Sequence, residues 1–105
     1  MLNKILDKIG IPNRESRFIE PPAPPFIVYF DGVQVRGADA VNLLKEHACT
    51  LELYTDKPDK TTISKMESVL DSMGIPYEKS EQVYLKDQSY YMTTFDFDYI
   101  EKKEV

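Results

Sequence analysis

The sequence predicts an α+β fold, in which helices cover one face of a mostly antiparallel sheet of about four or five strands. Two stretches carry apolar residues at helical spacing, and both end in Gly-Ile-Pro. Other stretches, before and after the second helix, are rich in strand-forming residues or alternate between apolar and polar residues. Because these strands follow one another along the chain, antiparallel pairing is favoured over alternating parallel units.

The two predicted helices share one stop signal, in the phrases LDKIGIPN and LDSMGIPY. Gly10 and Gly74 follow the last apolar residue of each helix, and glycine adopts the left-handed conformation that ends a helix. The proline two positions later prevents the helix from resuming. We interpret the repeat as one stop signal used twice, not as a duplicated unit. The apolar stripes are Leu2, Ile5, Leu6 and Ile9 in the short first helix, and Ile63, Met66, Val69, Leu70 and Met73 in the main helix.

The first predicted strand is residues 26–30, FIVYF, whose β-branched and aromatic residues are typical of strands. Asp31 and Gly32 then form a two-residue turn signal. The sequence therefore predicts a hairpin at this point, with residues 33–35 as the return strand.

The next segment, residues 38–46, is ambiguous: Asp39 fits as the cap of a short helix, and an extended chain fits equally well. Residues 47–54 alternate in polarity, which predicts a half-buried strand. Asp59 is the predicted N-cap of the main helix. Residues 82–86 and 90–100 predict a final hairpin. The residues expected in the core are Leu51, Leu53, Met66, Val69, Leu70, Phe95 and Phe97.

Length and composition restrict the class of protein. With 105 residues, the chain fits a single domain, and 42% hydrophobic residues are enough for a core. We divide it into a helix and Pro-rich arm at 1–25, a sheet with the main helix at 26–100, and a frayed tail at 101–105. The formal net charge of −5 argues against a protein that grips nucleic-acid phosphates. No apolar run reaches the ~20 residues that span a bilayer, and the N-terminus is too short and too charged for a signal peptide.

No residue pattern predicts an enzyme, a cofactor or a metal site. His47, the only histidine, is expected at the surface or on an edge strand. Cys49, the only cysteine, is expected to be a small buried residue and not a nucleophile. Asp96 and Asp98, with Glu101 beyond them, favour a solvated face over a cation site.

Several residues are candidates for a protein interface instead. The Pro-rich arm is a stiff spacer that cannot supply ladder hydrogen bonds. Tyrosine is enriched at interfaces but also suits half-buried strand positions, so both readings stay open for the tyrosines. The candidate interface residues are Pro21, Pro22, Pro24, Pro25, Tyr29, Tyr54 and Tyr84.

Five phrases in order, PPAPPFIVYF, GAD, TLELYTDKPD, LDSMGIPYEKSEQVY and YYMTTFDFDY, cover most of residues 20–100. Together they resemble the small proteins encoded in the head–tail joining region of long-tailed phages and prophages of Gram-positive bacteria. The match is loose over residues 33–45. The group is similar to tail-completion and tail-terminator proteins.

This resemblance implies a structural role without catalytic residues or cofactors. It implies a ring, commonly of six subunits, that caps the tail tube and joins it to the head connector. DNA passes through such a ring without being specifically bound, and no membrane is involved. The implied location is the bacterial host cytoplasm during assembly and then the neck of the virion.

The sequence leaves two other function classes open. A monomeric adaptor or regulatory module would bind one partner by strand addition or through a helix face. A small hydrolase or nuclease built on Asp96, Asp98 and Glu101 is the least favoured alternative.

Overall fold

Three long strands form the centre of the sheet: β2 (Phe26–Ala38), β3 (Val41–Thr55) and β6 (Tyr90–Lys102). They belong to a computed structural model that describes residues 1–38 and 41–102. β3 lies in the middle and pairs antiparallel with β2 on one side and with β6 on the other. Strands of this length make the molecule elongated, with extents of 50 × 30 × 22 Å.

Three short strands complete the sheet. β1 (Asn13–Glu15) runs parallel to β2, while β4 (Glu78–Lys79) and β5 (Val83–Leu85) pair antiparallel with β6. The predicted α+β class with a mostly antiparallel sheet is confirmed. The count of six strands exceeds the predicted four or five because β1 and β4, with three and two residues, are too short for an alternating pattern to reveal.

Both helices end as predicted. α1 (Leu2–Ile9) stops at Gly10 with φ 72°, and α2 (Lys60–Ser72) is followed by Gly74 with φ 68°. The Ile75 N–H donates to the Leu70 carbonyl at 3.0 Å, which closes the last turn of α2. Neither helix within the described residues is long and apolar enough to cross a membrane.

Asp59 caps α2, as predicted, by accepting a hydrogen bond from the Thr62 N–H at 3.0 Å. Hydrogen bonds from the Thr62 side chain and backbone hold the pKa of Asp59 below its usual value. The stabilising effect of the charged cap is therefore present at neutral pH and is lost only as the pH falls through that lowered pKa.

The two helices lie on the same face of the sheet and share one core with it. Of the seven predicted core residues, six are buried, and Val69 is half-buried against them. The cluster consists of Leu2, Ile5, Leu6, Ile9, Ile27, Cys49, Leu51, Leu53, Met66, Leu70, Ile75, Phe95 and Phe97.

The predicted hairpin at Asp31 and Gly32 is wrong. β2 runs straight through both residues, with Asp31 opposite Cys49 and Gly32 opposite Ala48. The turn propensity of Asp31 and Gly32 is outweighed by strand pairing, because every residue of β2 on either side of them has a partner on β3. The Asp31 carboxylate, which could have stabilised a turn, instead accepts hydrogen bonds from His47.

The structure also answers two open points: the conformation of the ambiguous segment 38–46 and the start of the frayed tail. Residues 41–46 are extended, as the first part of β3, while Asp39 lies outside the described residues. Glu101 and Lys102 pair with Lys45 and Leu44. β6 therefore extends two residues into the segment expected to be frayed, and residues 103–105 lie outside the described chain.

We expect Leu70→Ala to lower the free energy of unfolding by about 2–5 kcal/mol, because Leu70 is fully buried between α2 and the sheet. Urea denaturation measures this. Ser68→Ala, on the exposed side of α2, is the matched control and should change stability by less than about 0.5 kcal/mol. Equal effects of the two substitutions would contradict the packing described here.

We expect Gly74→Ala to destabilise the protein by about 1 kcal/mol or somewhat more. Apart from Gly74 and its two chain neighbours, no residue has an atom within 4 Å of the position that the new Cβ would occupy, so the cost arises from the left-handed backbone. Thermal unfolding of the two proteins gives the difference. A stabilised variant would show that Gly74 does not act as a helix stop.

Candidate functional site

The ends of the three long strands extend beyond the helical layer. We call residues 31–38, 41–48 and 98–102 the distal ribbon. Val33 and Val35 point to the helical side of the sheet, yet they are 47% and 48% exposed. The helices therefore end before this part of the sheet, and the distal ribbon needs another source of stability.

His47 supplies part of that stability by linking the three strands. It lies on β3, where its Nδ1 is 2.9 and 3.0 Å from the two carboxylate oxygens of Asp31 on β2. Its Nε2 is 3.1 Å from Oε1 of Glu101 on β6. The ring stacks on Tyr99 with a centroid distance of 4.3 Å. A doubly protonated ring donates to both carboxylates at once, whereas a neutral ring has one N–H and donates to only one.

The expectation that His47 is a surface or edge histidine is wrong, since it is 9% exposed and sits on the central strand. Its two carboxylate partners are 16 and 54 residues away in the chain. No local spacing could have revealed them. The pairing of Asp31 depends on β2 continuing through the apparent turn.

Cys49 is buried, as predicted, and faces the same side of the sheet as His47. Burial, reinforced by the charge of Asp31 and its hydrogen bond with the thiol, raises the pKa of Cys49 to about 12. The Cys49 thiol donates to Oδ1 of Asp31 at 3.6 Å. A thiol kept in its neutral form is a poor nucleophile.

The three carboxylates weighed as a cation site do not come together. Asp96 and Asp98 are exposed on the face opposite the helices, while Glu101 points to the helical side. Asp96 accepts a hydrogen bond from the Thr50 hydroxyl at 2.7 Å. Within residues 1–38 and 41–102, no group of three metal-ligating side chains is arranged to hold an ion.

The face of the sheet opposite the helices, which we call the open face, is acidic. The strand registers place Glu46, Glu52, Asp96 and Asp98 on it. Basic residues on the same face, Arg14 on β1 and Lys102 at the end of β6, lie at its margins. The middle of the open face therefore presents a negative surface.

The other end of the open face is aromatic and is covered by the N-terminal arm. Phe26 stacks on Tyr54 with a centroid distance of 5.1 Å, and Phe18 and Tyr90 contact Phe26 edge-on. Arm residues line a cleft of about 470 Å³ beside this cluster, together with Glu52. The Pro-rich arm thus lies close to the sheet at the helical end.

The structure does not bring all seven candidate interface residues together. Pro21 is exposed, and Pro22, Pro24 and Pro25 are half-buried at the arm. Tyr54 lies near them on the open face, but Tyr29 packs against the core on the helical side. Tyr84 is 51% exposed on β5, with its ring 4.9 Å from that of Tyr91.

Both edges of the distal ribbon lack a neighbouring strand within the described chain. β1 pairs with β2 only at residues 27–29. On the other side, β4 and β5 pair with β6 only as far as Asp96. Unpaired strand edges carry no sequence motif, so the sequence alone could not predict them.

No protein-family model matches the chain, and no curated protein matches it.

We expect Asp31→Ala to lower the free energy of unfolding by about 1–3 kcal/mol, because it leaves the largely buried His47 ring without its Nδ1 partner. Glu101→Ala should cost less than about 1 kcal/mol, since the Glu101 side chain is 56% exposed. Urea denaturation of each variant provides the comparison.

The control is Asp98→Ala, which removes an exposed carboxylate from the other face of the same ribbon. It should change stability by less than about 0.5 kcal/mol. If Asp31→Ala and Asp98→Ala were equally mild, the His47 cluster would not hold the ribbon together.

Proposed function

We propose that this chain is a structural protein of a phage or prophage that completes the tail and joins it to the head as a ring subunit. The observation that carries the proposal is the distal ribbon, which has a strand edge on each of its two sides that no other described strand pairs with. A closed ring needs two different surfaces on every subunit that meet head to tail. The two edges have this arrangement.

The acidic open face supports the same role. A ring that DNA crosses should not retain the phosphates on its wall, and a surface with Glu46, Glu52, Asp96 and Asp98 repels them. We propose that the open face lines the passage. The net charge of −5 is consistent with a protein that guides DNA without binding it.

The resemblance to head–tail joining proteins supplies the partners. They are the tail tube on one side and the head connector on the other, with about six subunits in the ring by analogy with that group. The protein would act in the host cytoplasm during assembly and remain in the neck of the virion. Terminator, stopper and joining adaptor all fit this description.

One observation favours a second candidate, a monomeric adaptor. The free edge of β2 is suited to accept an extended segment of a partner protein as an added strand. The mass of the purified protein and of its complexes separates the two functions. A ring subunit forms closed multimers, alone or on tail ends, whereas an adaptor binds its partner one to one.

Replacing Pro21, Pro22, Pro24 and Pro25 by Ser should weaken ring closure or docking while the protein still folds. Three of these prolines are half-buried and none is in the main core, but a flexible arm loses more entropy when it is fixed against a neighbour. The test is complementation of a phage that lacks this gene. Complete virions are counted by electron microscopy.

Asp96→Asn is the control and should restore joined virions to the wild-type number. Circular dichroism establishes that each variant is folded. A Pro-substituted arm with full virion yield would remove the arm from the interface. Full yield from the phage that lacks the gene altogether would refute the proposed function itself.

A further inference from the structure

We infer that neighbouring copies join edge to edge, with β2 of one copy paired in parallel with β6 of the next along the distal ribbon. One sheet would then continue from subunit to subunit. This inference rests on the proposed ring and names the contact that closes it.

The backbone of β2 presents hydrogen-bonding groups on its outer side. The Ile27 N–H donates to the Pro12 carbonyl at 2.9 Å, and the Ser16 N–H donates to the Tyr29 carbonyl at 3.0 Å. Odd-numbered residues of β2 therefore point their backbone groups away from β3. Past Tyr29, the same alternation makes Asp31, Val33 and Val35 outward-facing, with no strand beside them in the described chain.

The backbone of β6 also presents hydrogen-bonding groups on its outer side, at the opposite edge of the sheet. The Ser80 N–H donates to the Thr94 carbonyl at 2.9 Å, and the Thr94 N–H donates to the Ser80 hydroxyl at 3.0 Å. Even-numbered residues of β6 therefore point outward. Beyond the end of β4 these are Asp98, Ile100 and Lys102, again with no strand beside them in the described chain.

The two free edges run in the same direction and lie at the same position along the strands. β2 and β6 are both antiparallel to β3, so they run the same way, and a side-by-side contact between copies is parallel. The register through β3 places Gln34, Glu46 and Ile100 in one row. Ile100 of one copy can therefore bond with the backbone of Val33 and Val35 of the next without a shift along the strands.

Charge is compatible with β6 of another copy as the partner of β2. The free part of the β6 edge carries Asp98, Glu101 and Lys102. Between Asp31 and Val35, β2 has only one charged residue, and that carboxylate is bonded to His47. With Ile100 opposite Gln34, residues 97–101 lie opposite residues 31–35, and no two charged residues are directly opposite each other.

Exposed apolar side chains lie along the same edges. Val33 and Val35 on β2 are 47% and 48% exposed, and Ile100 on β6 is 60% exposed. A long apolar edge without a partner is a site for added strands. A contact between two β2 edges would leave Ile100 and the β6 edge uncovered, whereas the β2–β6 contact covers both edges with one interface.

The test is disulfide trapping with Gln34→Cys and Ile100→Cys, which lie in one row on the open face and outside the His47 cluster. The native Cys49 can remain because it is buried. After mild oxidation, a mixture of the two single variants should give at least tenfold more cross-linked dimer than either variant alone. The double variant should give a ladder of multimers that ends at the ring.

The matched control is Gln34→Cys mixed with Asp96→Cys. Asp96 is on the same face of β6, but β4 already occupies its outer side, so this mixture should not cross-link. Cross-links from Gln34→Cys alone would mean that two β2 edges pair, which overturns the inference. If the protein is monomeric in solution, the same oxidation is applied to virions assembled in the complementation experiment.

Assembled rings or complete virions without a cross-link between positions 34 and 100 would overturn the edge contact and leave the proposed function standing. A second pair of variants tests the backbone directly. Val35→Pro removes an outward N–H and should abolish assembly, while Val35→Thr keeps the N–H and should assemble normally. Normal assembly of Val35→Pro would also count against the contact.

Discussion

The fold depends on the pairing of β3 with both of its neighbours along almost its whole length. This strand has 15 residues, and it is opposite β2 from Val41 to Tyr54 and opposite β6 from Leu44 to Thr55. Near Leu51 and Leu53 it lies under the helices and carries the centre of the core. Towards Glu46 and Lys45 it has no helical cover, so one strand belongs to two different environments.

These two environments are stabilised by different forces. At the helical end, burial of apolar side chains dominates, and the sheet and both helices contribute to one core. In the distal ribbon that contribution is small, and hydrogen bonds between His47 and two carboxylates tie the strands together instead. Polar links of this kind position strands relative to one another while leaving their edges accessible.

The features that local sequence determines were the ones that could be predicted. Helix stripes, the stops at Gly10 and Gly74, the Asp59 cap and the burial of Cys49 each depend on residues within a turn or two of each other. The turn signal at Asp31 and Gly32 was misleading because the pairing with β3 on both sides outweighs it. The partners of His47 and the free edges depend on which distant strands lie side by side. The spacing of apolar residues along the chain does not show this pairing.

The sheet is wider at the helical end than in the distal ribbon. At the helical end β1 adds a strand on one side, and β4 and β5 add strands on the other, whereas the distal ribbon has three strands among residues 1–38 and 41–102. Copies that pair along the three-stranded distal ribbon must lie farther apart, centre to centre, at the wider helical end. A ring of such copies would taper like a funnel, with its small aperture formed by the strand tips and its wide mouth bordered by the helices.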